Sequence, residues 1–257
     1  ARIKRATGEH GDFYRPEREM QIIHDVRQRN HGPLTDEHVV KIFREIMSSC
    51  LALQQPLNIA FLGPKGTFTQ MAVIKHFGSA VYMSPFPTTD AVFREVESGT
   101  AHFAVLPVEN STEGVVTHTL DRLMSSPLNI NGEIILRIHQ HLVGQGSSLD
   151  GIDVVYSHQQ GLAQTRAWLN HNLPNVERIA VSSTAEAARL ASLNPRAVAI
   201  AGKAAAETYN LNILVPRIED ETGNVTRFLV IGPRELPMTG KVLKQQRKIQ
   251  QFQQLRK

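Results

Sequence analysis

Short apolar runs alternate with helical segments over most of this chain, and that rhythm constrains its fold more than any other feature. The first apolar run, 58–62, is a predicted strand and is followed by a predicted helix over 70–77. The alternation continues to a predicted strand at 197–201. The other predicted strands are 80–83, 103–108, 154–156 and 176–181, and the other predicted helices are 90–96, 162–169 and 185–193. Alternation of this kind predicts parallel sheets with helices on their faces. The long strand-like stretch 130–143 predicts a crossing between two lobes, and a last strand, 227–231, can return to the first lobe.

Residues 1–56 have a different pattern, which predicts two amphipathic helices. Pro16 suits the first turn of the first helix, Gly32-Pro33 ends it, and Thr35 is a suitable N-cap for the second helix. The second helix carries an apolar stripe at helical spacing, formed by Val39, Phe43, Ile46, Met47 and Cys50. Two such helices cannot bury both of their apolar faces alone. They therefore require a partner, either the main domain or a second chain.

The composition is that of an ordinary globular protein, with 41% hydrophobic and 20% charged residues among 257. No apolar run approaches the roughly 18 residues of a membrane helix. A single cysteine, Cys50, excludes an internal disulfide and favours a reducing, cytoplasmic compartment. The net charge of +4 resides in the segment 233–257, which holds seven Lys/Arg and one Glu, whereas the rest holds 21 basic and 23 acidic residues. Nucleic-acid binding by the folded body is therefore not expected.

Polar side chains gather where predicted strands end and helices begin. They are Thr67 in the glycine-containing loop 63–69, Glu109, Asn110 and Ser111 after 103–108, Ser157, His158 and Gln160 after 154–156, and Ser183 and Thr184 before 185–193. Such groups can cap the following helix, and a helix N-terminus can also bind an anion such as a carboxylate. The residues alone leave both interpretations open. The 11 histidines are scattered, and His139 and His141 lack an obvious third ligand, so no metal site is predicted.

The run Asn224-Val225-Thr226-Arg227-Phe228 follows an acidic loop and opens the last apolar strand. It places a hydroxyl and a guanidinium at the mouth of a buried strand, where sites in α/β folds are commonly built. Taken alone, Thr226 is an ordinary strand residue, Arg227 is a surface cation or ion-pair partner, and Phe228 is a core residue.

Four segments, in this order, resemble the catalytic domain of prephenate dehydratase over roughly residues 58–232. They are Gly63-Pro64-Lys65-Gly66-Thr67-Phe68, Pro107-Val108-Glu109-Asn110-Ser111, Tyr156-Ser157-His158-Gln159-Gln160 and Asn224-Val225-Thr226-Arg227-Phe228. The segments 13–19 and 43–56 are similar to the later part of an all-helical chorismate mutase. Together the two parts resemble the bacterial bifunctional chorismate mutase–prephenate dehydratases of phenylalanine biosynthesis.

This resemblance implies an α/β fold, with a two-lobed, periplasmic-binding-protein-like dehydratase domain and an active-site cleft between the lobes, preceded by an all-α segment. We expect a helical segment over 1–56, lobe one over about 57–135 plus 220–232, lobe two over about 136–219, and a basic tail over 233–257. The family's mutase pocket corresponds to Lys4, Arg18, Glu19 and Gln54. The arginines of its first helix have no counterpart in this sequence, so little mutase activity is expected. The tail does not resemble the family's regulatory ACT domain, so feedback by phenylalanine is not expected.

The reaction implied by the resemblance converts prephenate to phenylpyruvate, water and carbon dioxide, without a metal or redox cofactor. Thr226 is then expected to donate a hydrogen bond to the leaving ring hydroxyl, and Glu109 is the rival acid if burial raises its pKa. The implied substrate-binding groups are Thr67, Asn110, Ser111, Ser157, His158, Gln160, Ser183, Thr184, Arg227 and Phe228. Gln159 stands where the family usually has proline, and Gly161 where it usually has alanine, which loosens this turn.

Two other functions stay open at this point. A two-lobed α/β protein with polar turns facing a cleft can be a non-catalytic module that binds a small anion. A helical interaction protein built on 1–56 and the tail would leave the central motifs unexplained. The apolar stripe, and the dimers usual in the mutase-like class, imply a homodimer. Neither nucleic acid nor a membrane is an expected partner.

Overall fold

The computed structural model describes residues 14–233 of the chain. Residues 1–13 and 234–257, which include Lys4 and nearly all of the basic tail, lie outside the described part. Within 14–233, no helix is long and apolar enough to cross a membrane. The same residues contain no cluster of three or more His, Cys, Asp or Glu side chains that could hold a metal ion.

Two helices come first. Helix α1 spans Pro16–Arg29 and helix α2 spans Asp36–Ala52. Pro16 lies in the first turn of α1, and the Thr35 hydroxyl accepts a hydrogen bond from the His38 amide at the start of α2. Both predicted helix starts are therefore confirmed.

Lobe one is built on a six-stranded sheet with the strand order β2-β1-β3-β11-β5, and β4 also pairs with β3. The strands are β1 (Asn58–Leu62), β2 (Tyr82–Phe86), β3 (Phe103–Asn110), β4 (Gly114–Val115), β5 (Asn129–Arg137) and β11 (Val225–Gly232). Helices α3 (Phe68–Phe77), α4 (Thr89–Glu97) and α5 (Thr117–Ser125) flank the sheet. Apolar side chains on its two faces form two cores, one around Phe61 and Phe228 and the other around Phe93 and Leu229.

Lobe two is built on a five-stranded sheet with the order β10-β6-β9-β7-β8. The strands are β6 (His141–Gly144), β7 (Val154–His158), β8 (Glu177–Val181), β9 (Ala197–Ala201) and β10 (Asn212–Val215). The helices are α6 (Gln159–Gln164), α7 (Arg166–Asn172), α8 (Thr184–Ala191) and α9 (Lys203–Thr208). All five residues of β9 are buried, so this strand forms the centre of the lobe.

The two sheets confirm the predicted α/β fold with two lobes. The stretch 130–143 is divided into β5 and β6, and residues 138–140 between them cross from lobe one to lobe two. The chain returns through 216–224 to β11. The expectation of parallel sheets is wrong for the strands that adjoin these crossings. Strand β11 is antiparallel to both β3 and β5, and strand β6 is antiparallel to β9. Strand β3 ends at the boundary between the lobes whereas β11 begins there, so the two must run in opposite directions.

Smaller departures have local causes. The strand predicted at 80–83 lies at Tyr82–Phe86, and the short strands β4 and β10 were not predicted. The helix predicted over 162–169 is divided at Thr165, whose hydroxyl donates a 2.8 Å hydrogen bond to the Gly161 carbonyl. The limits of the helical segment, the lobes and the tail stay a prediction.

The helical segment is docked on lobe one. Tyr14 is buried in the first core, with ring centroids 5.7 Å from Phe77 and 5.3 Å from Phe103. The Arg44 guanidinium of α2 donates a 2.7 Å hydrogen bond to the Lys75 carbonyl of α3. The main domain is therefore one partner of these helices.

The predicted apolar stripe of α2 does not form this contact. Phe43 and Ile46 are 39% and 53% exposed, and Cys50 is also exposed. The buried residues of α2 are instead Val40 and Ser48. Docking on lobe one therefore leaves an apolar surface on the outer side of α2.

His76, at the end of α3, predicts a pH dependence of stability. Burial, together with the nearby Arg44 guanidinium, lowers the pKa of His76 from 6.5 to about 4. Between these two pH values the unfolded chain binds more protons than the folded one. The free energy of unfolding is therefore highest above pH 6.5 and decreases as the pH falls toward 4. We expect this group to lower the free energy of unfolding by at most about 3 kcal/mol across that window.

Urea unfolding at pH 7 and pH 4.5 checks this expectation, with His76→Gln as the comparison. The variant lacks the titrating imidazole, so it should lose less stability than the wild type between the two pH values. Equal losses would show that His76 does not contribute to the acid sensitivity.

Candidate active site

A cavity lies where the two lobes and both crossing segments meet. Its inner compartment has a volume of about 280 Å³ and its outer compartment about 750 Å³. The compartments share six lining residues, namely Glu113, Ile138, His158, Gln160, Gln164 and Asn224. Both volumes are in the range of a small-molecule site or just below it.

Two glycines allow the lobes to approach each other beside this cavity. Gly66 has a φ of +85°, and a Cβ there would lie 3.1 Å from the Cα of Ala205 in lobe two. A Cβ on Gly202 of lobe two would lie 2.7 Å from the Phe68 ring of lobe one. Side chains at either glycine would separate the lobes or displace Phe68, so these positions set the width of the cleft.

Thr226 and Asn110 form the polar centre of the inner compartment. They are directly opposite each other on β11 and β3, so their side chains share one face of the sheet. The Asn110 Nδ2 donates a 2.8 Å hydrogen bond to the Thr226 Oγ1 and a 2.9 Å bond to the Asn224 Oδ1. Both Asn110 and Thr226 are more than nine-tenths buried.

The turn after β3 fixes the direction of these hydrogen bonds. The Asn110 Oδ1 accepts from the backbone N–H groups of Thr112 at 2.9 Å and Glu113 at 3.2 Å. Since backbone N–H groups can only donate, the amide oxygen must face them and the NH₂ must face Thr226. The Thr226 oxygen therefore acts as an acceptor toward Asn110. No acceptor for its own proton is present among residues 14–233, so that proton is available to a molecule in the cavity.

Three helix N-termini point toward the same space. Thr67, His158 and Ser183 are the N-caps of α3, α6 and α8, and all three line the inner compartment. The Thr67 and Ser183 hydroxyls accept from the amides of Gln70 and Glu186, respectively. The first backbone N–H groups of a helix have no partner within the helix, so such ends bind carboxylate and phosphate groups.

Charged side chains of the cavity are acidic. Glu113 is shared by both compartments, and Glu219, Asp220 and Glu221 line the outer one. Neither Lys nor Arg is among the lining residues that the structure describes. An anion in the inner compartment would therefore be held by neutral hydrogen-bond donors and helix N-termini.

Comparison with known protein families identifies the chain. The family model "Prephenate dehydratase" matches residues 59–236, and the model "Chorismate mutase type II" matches residues 1–55. The chain belongs to the prephenate dehydratase family. The predicted resemblance to this family, with a mutase-like segment before it, is confirmed.

Individual relatives and solved structures are similar to the chain over most of its length. The bifunctional chorismate mutase/prephenate dehydratase of Pseudomonas aeruginosa is 53% identical over 244 residues, which cover 93% of this chain and 67% of that protein. A prephenate dehydratase of Arthrobacter aurescens, solved in complex with L-Phe, is 34% identical with a TM-score of 0.65, covering 71% of this chain and 63% of that one. GqqA, described as a novel type of quorum quenching acylase, is 29% identical with a TM-score of 0.64, covering 71% and 66%. The chain spans about two thirds of the length of such curated relatives.

Most of the residues expected from the prephenate dehydratase motifs lie at the cavity. The inner compartment is lined by Thr67, Asn110, His158, Gln160, Ser183, Thr184, Thr226 and Phe228. Ser111 lines the outer compartment, where its hydroxyl accepts a 2.9 Å hydrogen bond from the Val225 amide. Phe228 is also part of the first core of lobe one, so it can serve both as core residue and as cavity wall.

Glu109 and Arg227 do not reach the cavity. They pair with each other on β3 and β11, one position away from Asn110 and Thr226, so they lie on the opposite face of the sheet. The Arg227 guanidinium forms ion pairs with Glu109 and with Glu133, the latter at 2.6 Å. Neither residue lines either compartment of the cavity. The expectation that Glu109 competes with Thr226 as an acid is therefore not supported, and Arg227 braces the sheet behind Thr226.

Ser157 is likewise absent from the cavity lining. It is fully buried, and its hydroxyl donates a 2.9 Å hydrogen bond to the Ile200 carbonyl of β9. A Cβ on Gly161 would lie 2.3 Å from the Ser157 Oγ. The absence of a side chain at Gly161 therefore leaves room for the Ser157 hydroxyl to turn toward β9.

The residues expected for a mutase pocket do not converge. Glu19 forms a 3.5 Å ion pair with Arg44 beside lobe one, while Gln54 donates to the Cys50 carbonyl on α2. Arg18 is exposed, and Lys4 lies outside the described residues. A groove between α1 and α2 exists, but its lining includes none of these side chains. The pocket expected from these residues is therefore not assembled within 14–233.

Sequence reasoning missed several polar residues of the cavity, among them Asn224, Gln140 and Gln164. Asn224 accepts from Asn110 and lies two residues before Thr226, so the quoted motif already contained it. Gln140 and Gln164 both line the inner compartment, one from the crossing 138–140 and the other from α6. A glutamine in a crossing segment gives no signal in the sequence, because its position becomes significant only when the lobes are brought together.

Proposed function

We propose that this chain converts prephenate to phenylpyruvate, water and carbon dioxide, a step of phenylalanine biosynthesis. Its membership of the prephenate dehydratase family supports this reaction. The single observation that carries the proposal is the hydrogen bond from Asn110 to Thr226, in which the Thr226 oxygen accepts and its own proton is left for donation to a substrate.

The reaction needs a donor at the leaving oxygen. The bond from the ring carbon to the hydroxyl breaks while the ring carboxylate leaves as carbon dioxide, and its electron pair completes the aromatic ring. The hydroxyl departs as water, so one proton must be taken up. Thr226 would donate a hydrogen bond to this oxygen that strengthens as negative charge develops on it, with the proton itself coming from solvent.

Two carboxylates of the substrate also require partners. Thr67 and Ser183 begin helices on opposite sides of the inner compartment, one in each lobe. We assign each helix N-terminus to one carboxylate, with Thr184 and Gln160 as further donors. This arrangement would hold a dianion without cations. The ring would then contact Phe228 and Pro107, which line the same compartment.

A turnover assay tests the proposal. The chain is incubated with prephenate at pH 7, and phenylpyruvate is detected by its ultraviolet absorbance. Catalysed formation of phenylpyruvate supports the enzyme. Binding of prephenate, measured by calorimetry, without any product would instead indicate the alternative, a non-catalytic module that binds small anions.

Three further expectations belong to this proposal. Little mutase activity is expected from a single chain, because Arg18, Glu19 and Gln54 do not converge within residues 14–233. A homodimer through the apolar surface of α2 is proposed, since Phe43 and Ile46 stay exposed, and sedimentation velocity would show a monomer if it is wrong. A cytoplasmic setting is proposed from the single cysteine.

A further inference from the structure

Helix α3 begins at the cavity and ends at the helical segment. Its N-cap Thr67 and its first residues, Phe68 and Thr69, line the inner compartment. The helix has ten residues and is therefore about 15 Å long. Its last turn lines neither compartment of the cavity. A helix this short moves as one rigid unit, so the contacts that hold its last turn also set the position of its first turn.

Helix α2 supplies two polar contacts at the end of α3. The Arg44 guanidinium donates a 2.7 Å hydrogen bond to the Lys75 carbonyl. This carbonyl is one of the last four of the helix, which have no partner within it. The Glu45 carboxylate accepts bonds of 3.1 and 2.6 Å from the backbone N–H and the hydroxyl of Ser79, just after α3. Side chains of α2 therefore satisfy backbone groups on both sides of the point where α3 ends.

Close packing adds to these polar contacts. Gly78 follows the last residue of α3 with a φ of +78°, and a Cβ there would lie 2.5 Å from the Ser48 Cβ of α2. The backbone at this position therefore lies directly against α2. On the other side, the Tyr14 ring packs on Phe77, the last residue of α3, with the ring centroids 5.7 Å apart. The helical segment thus encloses the end of α3.

Arg44 is itself fixed by α1. Its Nε forms a 3.5 Å ion pair with the Glu19 carboxylate, and the two side chains are only 24% and 19% exposed. A long side chain held in this way loses less conformational freedom when it binds a third group. Arg44 is therefore a fixed donor to α3 and differs from a freely moving surface cation.

We propose that Arg44 is a positioning residue for the dehydratase reaction, holding α3 so that the N-terminus of this helix meets a substrate carboxylate. The proposal rests on the proposed function, in which the Thr67 end of α3 binds one of the two carboxylates. The helical segment then contributes to the dehydratase site, although none of its described residues lines the cavity. A displacement of about 1 Å caused far from the chemistry can cost about 100-fold in rate, so a small shift of α3 is sufficient.

Arg44→Met tests the proposal because methionine keeps an unbranched side chain but removes the guanidinium. We expect KM for prephenate to rise about 3- to 10-fold while kcat stays within about twofold, since a carboxylate contact is used in both the ground state and the transition state. Amide hydrogen exchange over residues 68–77 should become faster, which reports the loosened helix without any substrate. The melting temperature should fall, because the partly buried Glu19 carboxylate loses its cation.

A double variant separates positioning from stability. Glu19→Gln combined with Arg44→Met removes both charges of the ion pair, so the melting temperature should return toward that of the wild type. KM should nevertheless stay raised, because the Lys75 carbonyl still lacks its donor. Recovery of KM together with the melting temperature would show that Arg44 contributes only to stability, and would overturn the proposal.

Arg94→Met is the matched control. Arg94 lies on α4 of lobe one, and its Nε donates a 3.3 Å hydrogen bond to the Asp90 carbonyl. The N-cap of α4, Thr88, lines neither compartment. This variant should leave both KM and the hydrogen exchange of 68–77 unchanged. If the wild type turns over prephenate and Arg44→Met has the wild-type KM, the proposal for Arg44 is wrong and the proposed function stands. A wild-type chain that neither turns over nor binds prephenate overturns the proposed function, and the role of Arg44 with it.

Discussion

Thr226→Val is expected to lower kcat for prephenate by about 100-fold or more while KM changes little. Valine keeps the branched shape of threonine on β11 but removes the hydroxyl that accepts from Asn110. The hydrogen bond to the leaving oxygen is then lost, and that bond is strongest in the transition state. Stopped assays of phenylpyruvate formation over a range of prephenate concentrations give kcat and KM separately.

Two companion variants separate the role of the hydroxyl from an effect on folding. Thr226→Ser restores the hydroxyl and should recover most of the lost kcat. Thr208→Val removes a hydroxyl that donates to the Ala204 carbonyl in α9, away from the cavity lining, and should leave kcat unchanged. If Thr226→Val turns over prephenate at more than about a tenth of the wild-type rate, the donor role is wrong.

The strands that could be predicted most accurately are those buried on both faces. Residues 58–62 and 197–201 coincide with β1 and β9, because the centre of each sheet requires a short continuous apolar run. Strand β10 was missed since two of its residues are exposed and it lies at a sheet edge. The antiparallel direction of β11 could not be predicted from the apolar pattern, which does not show from which side a strand enters a sheet.

The place of the cavity could be predicted from the sequence, but the face of the sheet to which each side chain points could not. Polar residues after strands did mark the cavity, and Thr67 and Ser183 are caps that also line it. Side chains alternate between the two faces of the sheet along each strand. The register between β3 and β11 therefore decides that Asn110 lies beside Thr226 whereas Glu109 lies on the opposite face. Ser157 was misplaced for a different reason, since its hydroxyl turns toward β9 beside Gly161.

The acidic outer compartment adds a constraint on catalysis. A dianionic substrate approaching Glu113 and the acidic run 219–221 is repelled until it reaches the neutral donors inside. Binding therefore has to come from short, well-directed hydrogen bonds rather than from charge attraction. A site of this kind is sensitive to the direction of each hydrogen bond. Substitutions that keep the shape of a side chain but reverse the direction of its hydrogen bond should therefore lower kcat/KM the most.

Asn110→Asp makes such a change, and we expect it to lower kcat/KM on the order of 1000-fold. The carboxylate can still accept from the Thr112 and Glu113 amides, so the turn after β3 is kept. Its other oxygen, however, can only accept, and it would draw the Thr226 proton away from the substrate. The new negative charge would also repel a dianion inside the cavity. Steady-state kinetics, with the melting temperature measured in parallel, gives the size of the loss.

The control for this substitution is Asn172→Asp on α7, where an exposed Nδ2 donates a 2.9 Å hydrogen bond to the Trp168 carbonyl outside the cavity. It changes the same amide to a carboxylate and should leave kcat/KM within about twofold of the wild type. Asn110→Leu adds no charge and draws no proton from Thr226, so its loss should be smaller than that of Asn110→Asp. An Asn110→Asp variant that folds normally and retains more than a tenth of the wild-type kcat/KM would show that the direction of the Asn110–Thr226 hydrogen bond does not control the reaction.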